Sequence, residues 1–158
     1  MDANNTNVLA KISSLIYSLS HTKEEIEMVA DEVDDCNLRI ALNGLSQESS
    51  IFANELCMQF KNSGIYFPRL ALEELQGSNT MNTVEGIEQP GDELSYICTK
   101  NENFLLAAYN LILNENFLFP GLRDIMTYQL DALKSAFLKI KLLNMARFGV
   151  FTSTTFSL

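Results

Sequence analysis

The side chains best placed to do chemistry in this chain are carboxylates on the flanks of four amphipathic stretches: Glu25, then Glu48 or Glu55, then Glu102, then Asp124 or Asp131. One acid from each stretch, converging halfway along a helical bundle, would offer oxygen ligands to a pair of iron or manganese ions. A di-metal centre of that kind also draws a Glu-x-x-His pair from each of two helices. Here the residues three positions after Glu48, Glu55 and Glu102 are Ile51, Met58 and Leu105, and His21 is the only histidine. The set Glu25, Glu55, Glu102 and Asp131 is therefore a histidine-free alternative for a redox or metal-handling protein. The favoured expectation is no metal, no cofactor and no catalytic residue, with these acids as flank positions of amphipathic helices. His21 lies opposite the Leu19/Ile26 face, which predicts a surface imidazole rather than a ligand or base.

The other reactive side chains point the same way. Cys36, Cys57 and Cys98 are odd in number and widely spaced, with no Cys-x-x-Cys pair. That suggests neither a disulfide framework nor a zinc knuckle and suits a reducing cytoplasm. Apart from Lys100 near Cys98 and Arg39 near Cys36 they have no basic neighbour at close sequence range, and no histidine partner beyond His21, so ordinary buried thiols are expected rather than nucleophiles. Asn101 and Gln129 fall on apolar seams, where a buried amide fixes helix register. The run from Lys23 to Asp35 reads as a solvated acidic face.

The elements that must position these residues follow from apolar spacing. Val8, Ile12, Leu15, Leu19, Ile26, Val29 and Val33 predict a first helix from about Thr6 to Asp34, with Thr22 filling the missing step and Asn5, Thr6 or Asn7 as cap. Leu38, Leu42, Leu45, Ser49, Phe52, Leu56 and Gln59 alternate by four and three, the spacing of bundle packing, over a second helix from Leu38 to Asn62. Gly64 ends it. The short link at 35–37 makes the first two helices an antiparallel hairpin. Pro68, Gly77, Gly86, Pro90 and Gly91 mark a long crossover over 65–91, with room for a helical turn at 70–75. A third helix from Asp92 to Asn116 carries Leu94, Ile97, Leu105, Ala108 and Ile112 on one face. Pro120 opens a fourth, to Arg147, with Leu122, Met126, Leu133, Ile140 and Leu143 inward. Residues 148–158 form a tail that is Ser/Thr-rich yet carries Phe148, Phe151 and Phe156.

Composition sets the outer bounds. At 158 residues, 47% hydrophobic and 20% charged, the chain is long enough for one domain with a real core. A net charge of −9 lacks the cationic face that binds nucleic acid and disfavours anionic membrane surfaces. No apolar stretch is long enough to span a bilayer, and the N-terminus lacks the pattern of a signal peptide, so a soluble cytoplasmic protein is expected.

Ala30-Asp31-Glu32-Val33-Asp34-Asp35 followed by Ser46-Gln47-Glu48-Ser49-Ser50-Ile51-Phe52-Ala53-Asn54-Glu55-Leu56 resembles the first hairpin of a bacterial ferritin-like family of small stand-alone proteins, a domain of unknown function. Cys98-Thr99-Lys100-Asn101-Glu102 with Tyr109 resembles the start of its third helix, and Leu118-Phe119-Pro120 with Gln129 its last turn and fourth helix. Ile26 stands where that family usually has an aromatic residue, Thr99 where it has an acid, and the chain lacks tryptophan. The resemblance implies an all-α, ferritin-like four-helix bundle over 1–147 with a long crossover between helices two and three, a tail over 148–158, and no assigned activity. Large apolar residues off the third helix's main stripe (Phe104, Leu106, Tyr109, Leu111 and Phe117) need cover. They predict a non-catalytic binding or self-assembly module, a homo-oligomer and most simply a homodimer.

Overall fold

The computed structural model describes residues 3–62, 90–115 and 120–147. Among them are four helices and no strand: α1 (Ala3–Asp31), α2 (Cys36–Asn62), α3 (Pro90–Leu113) and α4 (Pro120–Arg147). Residues 63–89, with the expected crossover up to that point and its turn at 70–75, and residues 116–119 and 148–158 lie outside the described residues. Pro90 and Gly91, expected in the crossover, instead open α3, which ends at Leu113 rather than Asn116.

Helix ends account for the differences from the sequence reading. α1 runs through Asn5, Thr6 and Asn7 instead of being capped by them, and it stops at Asp31 rather than Asp34. Its last turn tightens, with Glu32 N donating to Val29 O at 3.0 Å and Val33 N to Ala30 O at 3.2 Å. Arg39 then holds the Val33 carbonyl through Nε at 3.0 Å and Nη2 at 2.6 Å. Asp35, grouped by sequence with a solvated acidic face, is the N-cap of α2: its Oδ1 accepts from Leu38 N at 2.9 Å. At the other hairpin Arg123 donates to the carbonyls of Leu113 and Glu115, each at 2.6 Å, satisfying acceptors that the end of α3 leaves open.

The helices form a closed ring. α1 packs against α2 and α3, α4 packs against the same two, and the pairs α1/α4 and α2/α3 face each other across the diagonal. Paired side chains give the directions: Lys11 meets Glu115 while Thr22 meets Asn101, and Tyr109 meets Gln129 while Asn144 meets Ser95. Every adjacent pair is therefore antiparallel and each diagonal pair parallel. α2 ends and α3 begins at opposite ends of the ring.

The shared core is apolar where the spacing placed it. Ile12, Leu15, Leu19, Ile26, Leu38, Leu42, Leu45 and Leu56 are fully buried, and Thr22 fills its step in α1 as expected. Burying one such aliphatic side chain is worth about 1.5–3 kcal/mol, so the inward stripes supply the main stabilisation of the ring. Two inward assignments shift: Ala108 and Leu143 are half-buried, while Tyr109 and Phe137 are core residues. The inner seam of α2 ends at Leu56, because Gln59 is exposed.

Candidate functional site

Apart from Ser46, whose hydroxyl donates to the Lys23 carbonyl at 3.2 Å between α2 and α1, polar side chains gather in this core at three places, each of which includes α3. The richest lies between α1 and α3. Asn101 on α3 accepts from the Thr22 hydroxyl at 2.7 Å and donates through Nδ2 to Glu25 Oε1 and to its own Ile97 carbonyl, both at 2.9 Å. Lys100 Nζ reaches Glu25 Oε2 at 3.0 Å, and His21 Nε2 lies 3.2 Å from Glu25 Oε1. Helical spacing makes the cluster: Tyr17, His21 and Glu25 are one turn apart on α1, and the Tyr17 and His21 rings stack at 5.9 Å. Lys100 also sits 5.8 Å from the centre of the Tyr96 ring.

Burial alone would push the Glu25 carboxyl up. The bonds from His21, Asn101 and Lys100, with the His21 charge, outweigh it and hold the group at about 2. His21 is thus not the plain surface imidazole expected from α1 alone: its side chain is 31% exposed and paired to a carboxylate. A carboxylate-oriented histidine is half of an acid–base dyad. Here the carboxylate is also committed to Lys100 and Asn101, and the Thr22 hydroxyl is committed to Asn101, so the arrangement locks two helices in register.

The second place joins α2, α3 and α4. Gln129 on α4, fully buried, accepts from the Tyr109 hydroxyl of α3 at 2.8 Å and donates to Glu55 Oε1 at 3.1 Å and the Phe52 carbonyl at 3.4 Å, both on α2. Burial and the Glu55 carboxylate push the Tyr109 phenol well above its ordinary range, so it serves as a donor. The register role expected of Asn101 and Gln129 matches these bonds, although the two amides hold different contacts and do not pair with each other.

The third place is a cavity of about 70 Å³ between α3 and α4, with space for a few waters. Ser95, Cys98, Glu102, Lys141 and Asn144 line it. Asn144 Nδ2 donates to Ser95 Oγ at 3.1 Å, but its buried Oδ1 has no protein partner. Burial and Glu102 push the Cys98 thiol up to about 12, which keeps it protonated near neutral pH and poorly suited to attack as a thiolate. All three cysteines are free; Cys57 and Cys98 are half-buried, while Cys36 is exposed, against the expectation of a buried thiol.

The four candidate metal acids fall apart across these places. Glu25 belongs to the α1–α3 cluster, Glu55 is an exposed residue bonded to Gln129, Glu102 lines the α3–α4 cavity, and Asp131 is exposed on α4, as is Asp124. Among the described residues no group of three or more His, Cys, Asp or Glu side chains is arranged to hold a metal ion. Glu48 stays on the flank of α2 with a buried, unpartnered Oε1, and burial pushes its carboxyl up.

Two residues were missed by spacing yet carried a signal. Tyr109 continues the steps Leu94, Ile97, Asn101, Leu105 to Ile112 as well as Ala108 does, and the bulkier residue takes the core. Asn144 lies one turn after Ile140 on the inward stripe of α4. No family model matches the chain, and no curated protein or solved structure is significantly similar to it. No helix among the described residues is long and apolar enough to cross a membrane.

Proposed function

We propose that this chain is a ferritin-like four-helix bundle that works as a non-catalytic binding or self-assembly module, a homodimer in the cytoplasm with neither nucleic acid nor membrane as partner. The observation that carries the reading is where the polar and apolar side chains are spent. Most of the buried polar groups are consumed in holding one helix to the next, while large apolar side chains stand outside the core. Ile40, Ile51 and Met58 on α2 and Phe104 and Leu111 on α3 are each more than half exposed. Of the five off-stripe apolar residues of the third stretch, Tyr109 belongs to the core, Leu106 packs against it, Phe104 and Leu111 remain outside, and Phe117 lies outside the described residues. A helix apolar on its outer side needs cover, and a second protein surface is the usual one.

Ferritin-like connectivity is supported by the antiparallel neighbours and parallel diagonals of the ring. The iron or manganese alternative draws no support from the placement of Glu25, Glu55, Glu102 and Asp131. Sedimentation velocity over a concentration series tests the module: the expected species has twice the 17.8 kDa chain mass, and a monomer persisting at high concentration would overturn the reading.

A further inference from the structure

We infer that the outer face of α2 is a homodimer seam on which α2 of a second copy lies antiparallel, with Ile40 opposite the partner's Met58, Gly44 opposite the partner's Asn54 and Gln47 opposite the partner's Ile51. The inference rests on the self-assembly reading above and adds the surface, the partner and the register.

Three observations carry it. The first is spacing. Asn37, Ile40, Gly44, Gln47, Ile51, Asn54 and Met58 step by three, four, three, four, three and four, and every one of them is exposed. Three of the seven, Ile40, Ile51 and Met58, are large and apolar and the rest are neutral, which makes a second stripe with heptad spacing on a helix whose first seam, from Leu38 to Leu56, is already used inside the protomer. It runs about 31 Å at 1.5 Å per residue, long enough for a stable helix pair.

The second is charge. The chain carries −9, yet none of these seven positions is ionisable. Two copies of an acidic protein repel wherever acidic surfaces meet, so a neutral strip is where they approach without that cost. The charged residues beside the strip are Arg39, Glu48 and Glu55, which in this register face the partner's Gln59, the partner's Ser50 and the partner's Asn43, so no like charges are opposed.

The third is self-complementarity. A two-fold axis between Gln47 and Ile51 maps the six positions from Ile40 to Met58 onto one another, each first-type heptad position meeting a second-type one, which is the layer pattern of antiparallel coiled coils and the isologous contact of a closed dimer. Near its middle, Gly44 offers close approach: a Cβ added there would meet nothing within 4 Å inside the protomer.

The test uses the full chain. Sedimentation velocity and circular dichroism are run on the wild type, Ile51→Glu, Gly44→Glu and Phe104→Glu. Ile51→Glu and Gly44→Glu place carboxylates beside the axis at positions the protomer leaves open. Both are expected to keep full helicity while weakening dimerisation at least about a hundredfold, and Phe104→Glu is expected to stay dimeric. Orientation is read by mixing Ile40→Cys and Met58→Cys proteins, both with Cys36→Ser, under mild oxidation. A 40–58 disulfide between chains is expected; 40–40 and 58–58 links instead would overturn the antiparallel register. A wild-type dimer broken by Phe104→Glu but not by the α2 variants would overturn this seam and leave the self-assembly reading standing. A wild-type monomer would overturn both.

Discussion

The contact between α1 and α3 and the contact between α3 and α4 each bury an asparagine, and the two asparagines are served differently. Asn101 has its oxygen answered by Thr22 and its amide answered by Glu25 and Ile97. Asn144, which lines the α3–α4 cavity, has its amide answered by Ser95, while its buried oxygen has no protein partner. A buried amide with every position satisfied makes a shifted register costly, because moving the helix orphans several groups at once. A buried amide with one position open holds its helices loosely. The first contact specifies how the helices align, and the second tolerates change.

The comparison breaks most sharply at Asn101. Asn101→Leu strands the Thr22 hydroxyl and one bond of the Glu25 carboxylate, and it is expected to cost about 3 kcal/mol. Adding Thr22→Val should return part of that loss, since the orphaned hydroxyl is removed with its partner. Urea unfolding of the two single variants and the double variant measures this; strictly additive losses would mean that the two side chains are not coupled.

A smaller effect comes from pH. The Glu25 carboxyl titrates at about 2 in the folded protein against 4.5 for the free side chain. A depressed carboxyl contributes its stability above the unfolded value and loses it as pH falls through the folded one. Glu25→Gln should therefore cost about 2 kcal/mol at neutral pH, a figure reduced for the group's partial contact with water. That cost should shrink steadily between pH 4.5 and 2. Unfolding curves of both proteins across this window check it, and a constant difference would show that the cluster does not hold the Glu25 charge.

The smallest effect is expected at the loose contact. Asn144→Leu removes the unpartnered oxygen and fills part of the cavity, with Ser95 free to meet water. Its stability should change by less than about 1 kcal/mol, with a gain favoured. A loss as large as that of Asn101→Leu would mean that bound water satisfies Asn144, and the contrast between the two contacts would disappear.

How far these places could be read in advance follows from what spacing encodes. The inward seam of α2 and the buried positions of Thr22, Asn101 and Gln129 are properties of single helices, and periodicity reveals them. The Glu25 cluster is a property of a pair: His21 and Glu25 share a face of α1, but Lys100 and Asn101 join them only because α3 runs antiparallel beside α1. The same limit explains the acids. On isolated helices Glu25, Glu55, Glu102 and Asp131 are four flank carboxylates with nothing to keep them apart, and only the ring order sends them to separate places. Asp35 shows the converse case, where local chemistry was legible but was read as part of a charge run rather than as a cap.

The ring order also shapes the field around the molecule. Because each helix lies beside two antiparallel neighbours, each end of the bundle alternates partial positive and partial negative poles around its rim. The backbone macrodipoles then cancel within a short distance. What a distant partner meets is the side-chain charge of −9, an acidic field in which the uncharged strip of α2 is a local gap.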